Sequence, residues 1–90
     1  MKLPVYSIRD VKGESFNQLT IGSNDHVMMR SLAENLISRR DPIMAFAPSD
    51  FVLYRVGTFD INTGVIEPVN PIVYIATASE VMSNYAQPSK

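Results

Sequence analysis

A chain of 90 residues with 46% hydrophobic and 19% charged residues reads as one small folded domain, not a disordered chain. Its formal net charge of −1 lacks the positive excess with which proteins hold nucleic acid tightly and regardless of sequence, since phosphate contacts supply most of that affinity. The absence of cysteine excludes disulfides and thiolate metal sites.

No apolar run approaches the roughly 20 residues of a membrane span. The opening MKLPVYSIRD turns polar after six residues, too soon for a signal peptide, so a cytoplasmic protein is expected. A core this small gains from burial in an oligomer.

Leu3 to Val11 has the alternation of a first strand, broken by Lys12-Gly13-Glu14. Ser15 to Gly22 reads as a loop or irregular extended stretch that buries Phe16, Leu19 and Ile21. Ser23-Asn24-Asp25 starts a helix: Ser23 or Asn24 caps the free amides and Asp25 complements the positive end. Met29, Leu32, Ala33, Leu36 and Ile37 then recur at the helical period, to about Ser38 or Arg40. Arg39 and Arg40 are placed in the last turn, and Pro42 stops the helix. Ile43 to Ala47 reads as an edge strand or buried connector, and Pro48-Ser49-Asp50 as a turn.

The stretch FVLYRVGTFDINTGVI, Phe51 to Ile66, reads as a hairpin. Its first strand is rich in β-branched and aromatic residues, and Asp60 to Gly64 has turn chemistry. Pro68 is expected to end the return strand, Asn70-Pro71 to turn again, and Ile72 to Ala76 to form a last strand. Thr77-Ala78-Ser79-Glu80 has capping-box spacing, which starts a short helix through Val81 and Met82. Residues 1–82 thus form a single α+β domain and 83–90 a flexible tail.

The predicted fold is a mostly antiparallel sheet of about four strands, in the order strand-helix-strand-strand-strand. One amphipathic helix covers one face, and a short helical turn ends the chain. Alternation gives one face Tyr6, Ile8, Val52, Tyr54, Val56, Tyr74 and Ala76. It gives the other Leu3, Val5, Phe51, Leu53, Val73 and Ile75, with Arg9 and Arg55. A sheet apolar on both faces needs a second cover, and a homodimer is expected to supply it.

His26 is the only histidine and has no second ligand in the pattern, so a solvated or locally hydrogen-bonded ring is expected. Asp60-Ile61-Asn62-Thr63-Gly64 resembles the start of a calcium loop. Glu67 comes too early for the bidentate ligand, however, and a turn is the better reading. Nothing pairs Asp41, Asp50 and Asp60 for acid–base work, and no phosphate loop, nucleophile elbow or zinc motif occurs. The chain reads as a non-enzyme without metal or cofactor.

Tyr6, Tyr54 and Tyr74, with Arg9 and Arg55, have the residue types of a stacking platform for single-stranded bases. The plainer reading, which alternation favours, packs the tyrosines under the helix with their hydroxyls at the rim and the arginines on the opposite face. Arg30, Arg39 and Arg40, partly neutralised by Glu34, make a solvated helix face.

The opening MKLPVYSIRDVKGESF, the Asn24, Asp25 and Arg30 pattern, and PSDFVLYRVGTFDINTGVIEP resemble one family. It is the small nonstructural protein of microviruses, in the gokushovirus group of single-stranded DNA bacteriophages. The resemblance runs from Met1 to about Ser79 and weakens over Ser38 to Ala47. It implies an early phage protein of the host cytoplasm, absent from the virion, that assists genome replication or single-stranded DNA synthesis. It supplies no catalytic residues. Two functions follow as expectations. One is a single-stranded DNA binder with contacts from Arg9, Lys12, Arg30 and Arg55 together with Tyr6 and Tyr54. The other is a dimeric adaptor for a phage or host replication or capsid-assembly protein, free of nucleic acid.

Overall fold

Residues 1–85 are described by the computed structural model; the tail expected over 83–90 lies outside the described residues from 86 onward. Strand β1 (Lys2–Asp10) turns back through Val11–Glu14 into the two-residue strand β2 (Ser15–Phe16). Asn17 then replaces a strand partner with its side chain. Its Oδ1 accepts from the Ile8 amide at 2.8 Å and from Ser7 Oγ at 3.1 Å. Strand β3 (Thr20–Ile21) resumes pairing farther along β1. These short strands occupy the stretch expected to be an irregular loop. Phe16, Leu19 and Ile21 are exposed rather than buried, because no helix crosses that side of the sheet.

Helix α1 (Asp25–Ile37) begins where the capping chemistry indicates: Asn24 accepts from the Val27 amide at 2.9 Å. Leu32, Ala33 and Leu36 are its buried stripe, with Met28 and Met29 packed alongside, while Ile37 is exposed. Arg39 and Arg40 fall beyond the last turn. Arg39 takes the left-handed conformation after the Ser38 cap (φ 56°), so neither arginine lies within the helix end.

Ile43 to Ala47 is not a strand. Pro42–Phe46 forms helix α2, with Asp41 as N-cap accepting from the Met44 amide and Pro42 in the first turn. The Asp-Pro pair that ends one helix therefore also starts the next, since proline's fixed φ suits a first helical position. A 3-10 turn, Pro48–Asp50, leads into β4 (Phe51–Asp60). The β4–β5 turn uses Asp60 Oδ1 to accept the Asn62 amide at 2.9 Å, and Gly64 sits at φ +78°.

Strand β5 (Ile66–Thr77) is continuous where two strands were expected. Pro68 pairs with Gly57, and the Asn70–Pro71 bond is cis. The two prolines are accommodated because β5 is an edge strand and Pro71 lies in the stretch 69–72 that has no partner on β4. Helix α3 (Ala78–Tyr85) follows directly. Its capping box is formed: Thr77 Oγ1 accepts from the Glu80 amide at 3.0 Å and Glu80 Oε1 from the Thr77 amide at 2.9 Å.

The sheet is antiparallel in the order β2-β1-β4-β5, with β3 also on β1. The core lies between one sheet face and the helices. Tyr6, Ile8, Phe51, Leu53 and Ala76 meet Leu32, Ala33, Leu36, Met44, Ala78 and Val81 there. Facing residues in an antiparallel ladder share a side. Tyr6 is opposite Arg55 and Ile8 opposite Leu53, whereas Ser7 is opposite Tyr54 and Tyr54 opposite Tyr74. The expected grouping of faces is therefore corrected: Tyr6 and Ile8 share the helix face with Phe51, Leu53 and Arg55. Tyr54, Tyr74 and Val52 share the other face with Arg9. Bulges at Val56 and Ile75 shift the register between the strands, and residues 69–72 of β5, around the cis Asn70–Pro71 bond, stand against Val56 alone and interrupt the β4–β5 ladder.

Gly57 stands where β5 crosses closest. A Cβ there would lie 2.5 Å from the Glu67 carbonyl oxygen, a backbone atom that cannot swing aside. Gly57→Ala is expected to push Ile66–Pro68 off β4. Hydrogen exchange would show lost protection at Thr58 and Phe59, with β1–β4 pairing at Ile8 and Leu53 retained; wild-type protection throughout would refute the close-approach argument.

Candidate nucleic-acid interface

The sheet face without helices carries a row of rings perpendicular to the strands. The Phe16 and Tyr54 centroids are 5.8 Å apart, and those of Tyr54 and Tyr74 are 6.2 Å apart at 86°. The row spans β2 to β5 because Ser7, the residue on β1 between them, is small. Ser7 turns its hydroxyl to the Asn17 carbonyl at 2.9 Å, leaving Phe16 room to reach Tyr54. The Arg9 guanidinium lies 5.4 Å from the Phe16 ring centre. Phe16 is 43% and Tyr74 51% exposed, and Tyr54 between them is half-buried. Ile21 and Ile66 extend the apolar surface beside the row.

Of the residues expected to contact nucleic acid, the structure brings Arg9 and Tyr54 together here. Lys12 lies in the exposed β1–β2 turn at the same end of the sheet. Tyr6 does not belong. It is fully buried beneath α1, its hydroxyl donates to Asp25 Oδ1 at 2.5 Å, and burial foremost and then that bond hold its phenol above the ordinary tyrosine range. Arg55 does not belong either, for its Nε lies 3.5 Å from the same Asp25 oxygen. An open cleft of about 570 Å³ beside this trio is lined by Lys2, Asn24, Asp25, His26 and Arg55, so an acidic group already answers its arginine. Arg30 lines a separate depression with His26, Val27 and Tyr85 on the helical side.

The Tyr6–Asp25–Arg55 trio therefore fastens the start of α1 to the sheet. Tyr6→Phe is expected to remove about 1 to 2 kcal/mol of stability, the net worth of a hydrogen bond to a charged acceptor in a partly exposed setting. Urea unfolding reads this directly, and an unchanged midpoint would show that the bond contributes nothing. His26 is exposed, and its Nδ1 is 2.8 Å from the Tyr85 hydroxyl, a tertiary contact in place of the local bond expected, which ties α1 to the end of α3.

Phe16 and Glu80 are the site residues that sequence reasoning did not single out. The Tyr74 hydroxyl donates to Glu80 Oε1 at 2.6 Å, the oxygen that also caps α3. The Tyr74 bond and then the Thr77 amide hold the Glu80 carboxyl below its ordinary value of 4.5, and the Tyr74 phenol is raised in turn. A carboxyl depressed in the folded state lends stability at pH above its unfolded value and loses it as pH falls through the folded one. Acidification below about 4.5 is thus expected to fray the first turn of α3 and free the Tyr74 ring. Tyr74 ring resonances that stay fixed from pH 6 to pH 3 would contradict this.

A family model described as Phage ORF5 protein matches residues 3–81. No curated protein and no solved structure matches the chain. No helix among the described residues is long and apolar enough to cross a membrane.

Proposed function

We propose that this chain, which belongs to the Phage ORF5 protein family, is a non-enzymatic accessory protein that holds single-stranded DNA on the open face of its sheet. On this reading it serves genome replication or single-stranded DNA synthesis in a bacteriophage of the microvirus, gokushovirus group. It works in the host cytoplasm as a nonstructural protein outside the virion. The observation that carries the reading is the Phe16–Tyr54–Tyr74 row with Arg9 at its end. Every base has a π face, so a row of rings on a sheet binds single strands through stacking with little demand on sequence. Duplex DNA keeps its faces stacked inside and gains nothing from such a row.

The net charge of −1 and the loss of Arg55 to Asp25 leave few cations for phosphates. Stacking must therefore carry most of the affinity, and the salt dependence is expected to be shallow. With Arg9 and Lys12 as the phosphate contacts, the slope of log K against log salt is about −1.4. Nuclear magnetic resonance with a short single-stranded oligonucleotide tests the location. Shifts should cluster at Arg9, Phe16, Tyr54 and Tyr74, and shifts confined to α1 or α2 would overturn the reading.

The second reading is a dimeric adaptor that binds a replication or capsid-assembly protein, and one feature favours it. Ile43 and Phe46, one turn apart on α2, are 70% and 84% exposed, an apolar pair without a partner in the described residues. Self-association through this pair is compatible with DNA on the opposite face, and a homodimer is part of the proposal. Sedimentation at rising protein concentration tests it, with Phe46→Ser expected to return the protein to monomer.

A further inference from the structure

The two ends of the aromatic row differ. At its β2 end Arg9 lies against Phe16, with Lys12 in the turn beyond between Asp10 and Glu14; at its β5 end is the Glu80 carboxylate, bonded to the ring that closes the row. The capping box of α3 accounts for a glutamate at position 80, but only for its bond to the Thr77 amide. The same Oε1 also receives the Tyr74 hydroxyl, and Oε2 has no hydrogen-bond partner among the described residues. Glu80 is exposed, so Oε2 is open to a ligand on Tyr74.

A carboxylate accepts hydrogen bonds and donates none. It repels a phosphate and welcomes an amino group. Among the bases, cytosine and adenine carry exocyclic amino donors at the edge a stacked base turns outward, and guanine carries N1–H and an amino group. Thymine presents two carbonyl oxygens and a single N–H. Accepting from the cytosine amino group is an established role of glutamate in base reading.

Building on the single-stranded DNA reading, we infer that Glu80 selects the base that stacks on Tyr74, favouring an amino-bearing base over thymine. The carboxylate turns the base edge towards α3 and keeps the phosphates off that end of the row, leaving Arg9 as the cation on the row itself. Glu80 is in this way both the residue that holds the Tyr74 ring and the acceptor that reads its base.

The test compares nine-nucleotide dC and dT strands by fluorescence anisotropy at pH 7.5 and low salt, with wild type and Glu80→Gln. The two strands share a pyrimidine ring and differ at the 4-position group, the proton on N3 and the 5-methyl. Wild type is expected to bind dC about three- to tenfold more tightly than dT, as befits one exposed charge-assisted bond. Glu80→Gln keeps an oxygen for Tyr74 and Thr77 but adds a donor for the thymine carbonyl. It should abolish the preference, mainly by strengthening dT binding. A purely structural cap would move both strands by one factor, and that result overturns the inference. So does a wild type that binds dC and dT equally or prefers dT, an outcome that needs no variant to fold and leaves the DNA reading intact. Absence of binding to either strand removes the DNA reading and this inference together.

Discussion

Tyr54→Ala is expected to weaken the binding of a nine-nucleotide single strand by about 1 to 3 kcal/mol, or about 5- to 150-fold in Kd. Tyr54 is the middle ring, in contact with both Phe16 and Tyr74, so its loss leaves two rings too far apart to act as one platform. Tyr54→Phe keeps the ring and should bind as wild type does, since no hydrogen bond from the Tyr54 hydroxyl is formed within the described residues. The pair separates stacking from polar contact. Equal affinity of wild type and Tyr54→Ala, with both folded by circular dichroism, would remove the aromatic row from the mechanism.

Leu53→Ala should produce the largest loss of stability. Leu53 is almost wholly buried at the centre of the sheet, paired with Ile8 on one side and Ala76 on the other, under the helices. Truncation there costs about 2 to 5 kcal/mol in lost burial and cavity formation. A domain of this size has about 5 to 13 kcal/mol in total, so the variant retains a folded state with little margin. Urea unfolding checks the value. A loss below about 1 kcal/mol would mean that the core collapses around the gap or that Leu53 is not its centre.

Much of this fold is legible in the residues, and the illegible parts have physical causes. Helix α1 spans more than three turns and its apolar stripe about two, and its Asn24 cap and the Thr77–Glu80 box are local chemistry, which needs no tertiary context. Helix α2 has too few residues for a period, though Asp41-Pro42 carried its cap and its first turn. Strands β2 and β3 have two residues each and no alternation to read. The continuity of β5 through Pro68 and Pro71 depends on its edge position, which no local pattern reveals.

The candidate site was partly legible for the same reason. Arg9 and Tyr54 were named among the contacts, but alternation along β4 could not show which residue of β1 each would face. Register in a hairpin is set by its turn. Here β1 and β4 are joined through two short strands, two helices and a 3-10 turn, so no turn sets it. Both sides of β4 are buried at Phe51–Leu53, and the hydrophobic pattern gives no phase. Tyr6 and Arg55 were grouped with the DNA contacts on residue type alone. Their removal follows from Asp25, whose place over the sheet depends on how α1 docks.

The central claim is that the open sheet face binds single-stranded DNA by stacking. The most direct measurement is fluorescence anisotropy of a labelled nine-nucleotide strand titrated at low salt, about 0.05 M, and at about 0.15 M salt, with a duplex of the same sequence alongside. The account predicts saturable binding that prefers the single strand and loses about fivefold or less over that salt range. No binding at low salt, or tighter binding to the duplex, would contradict it.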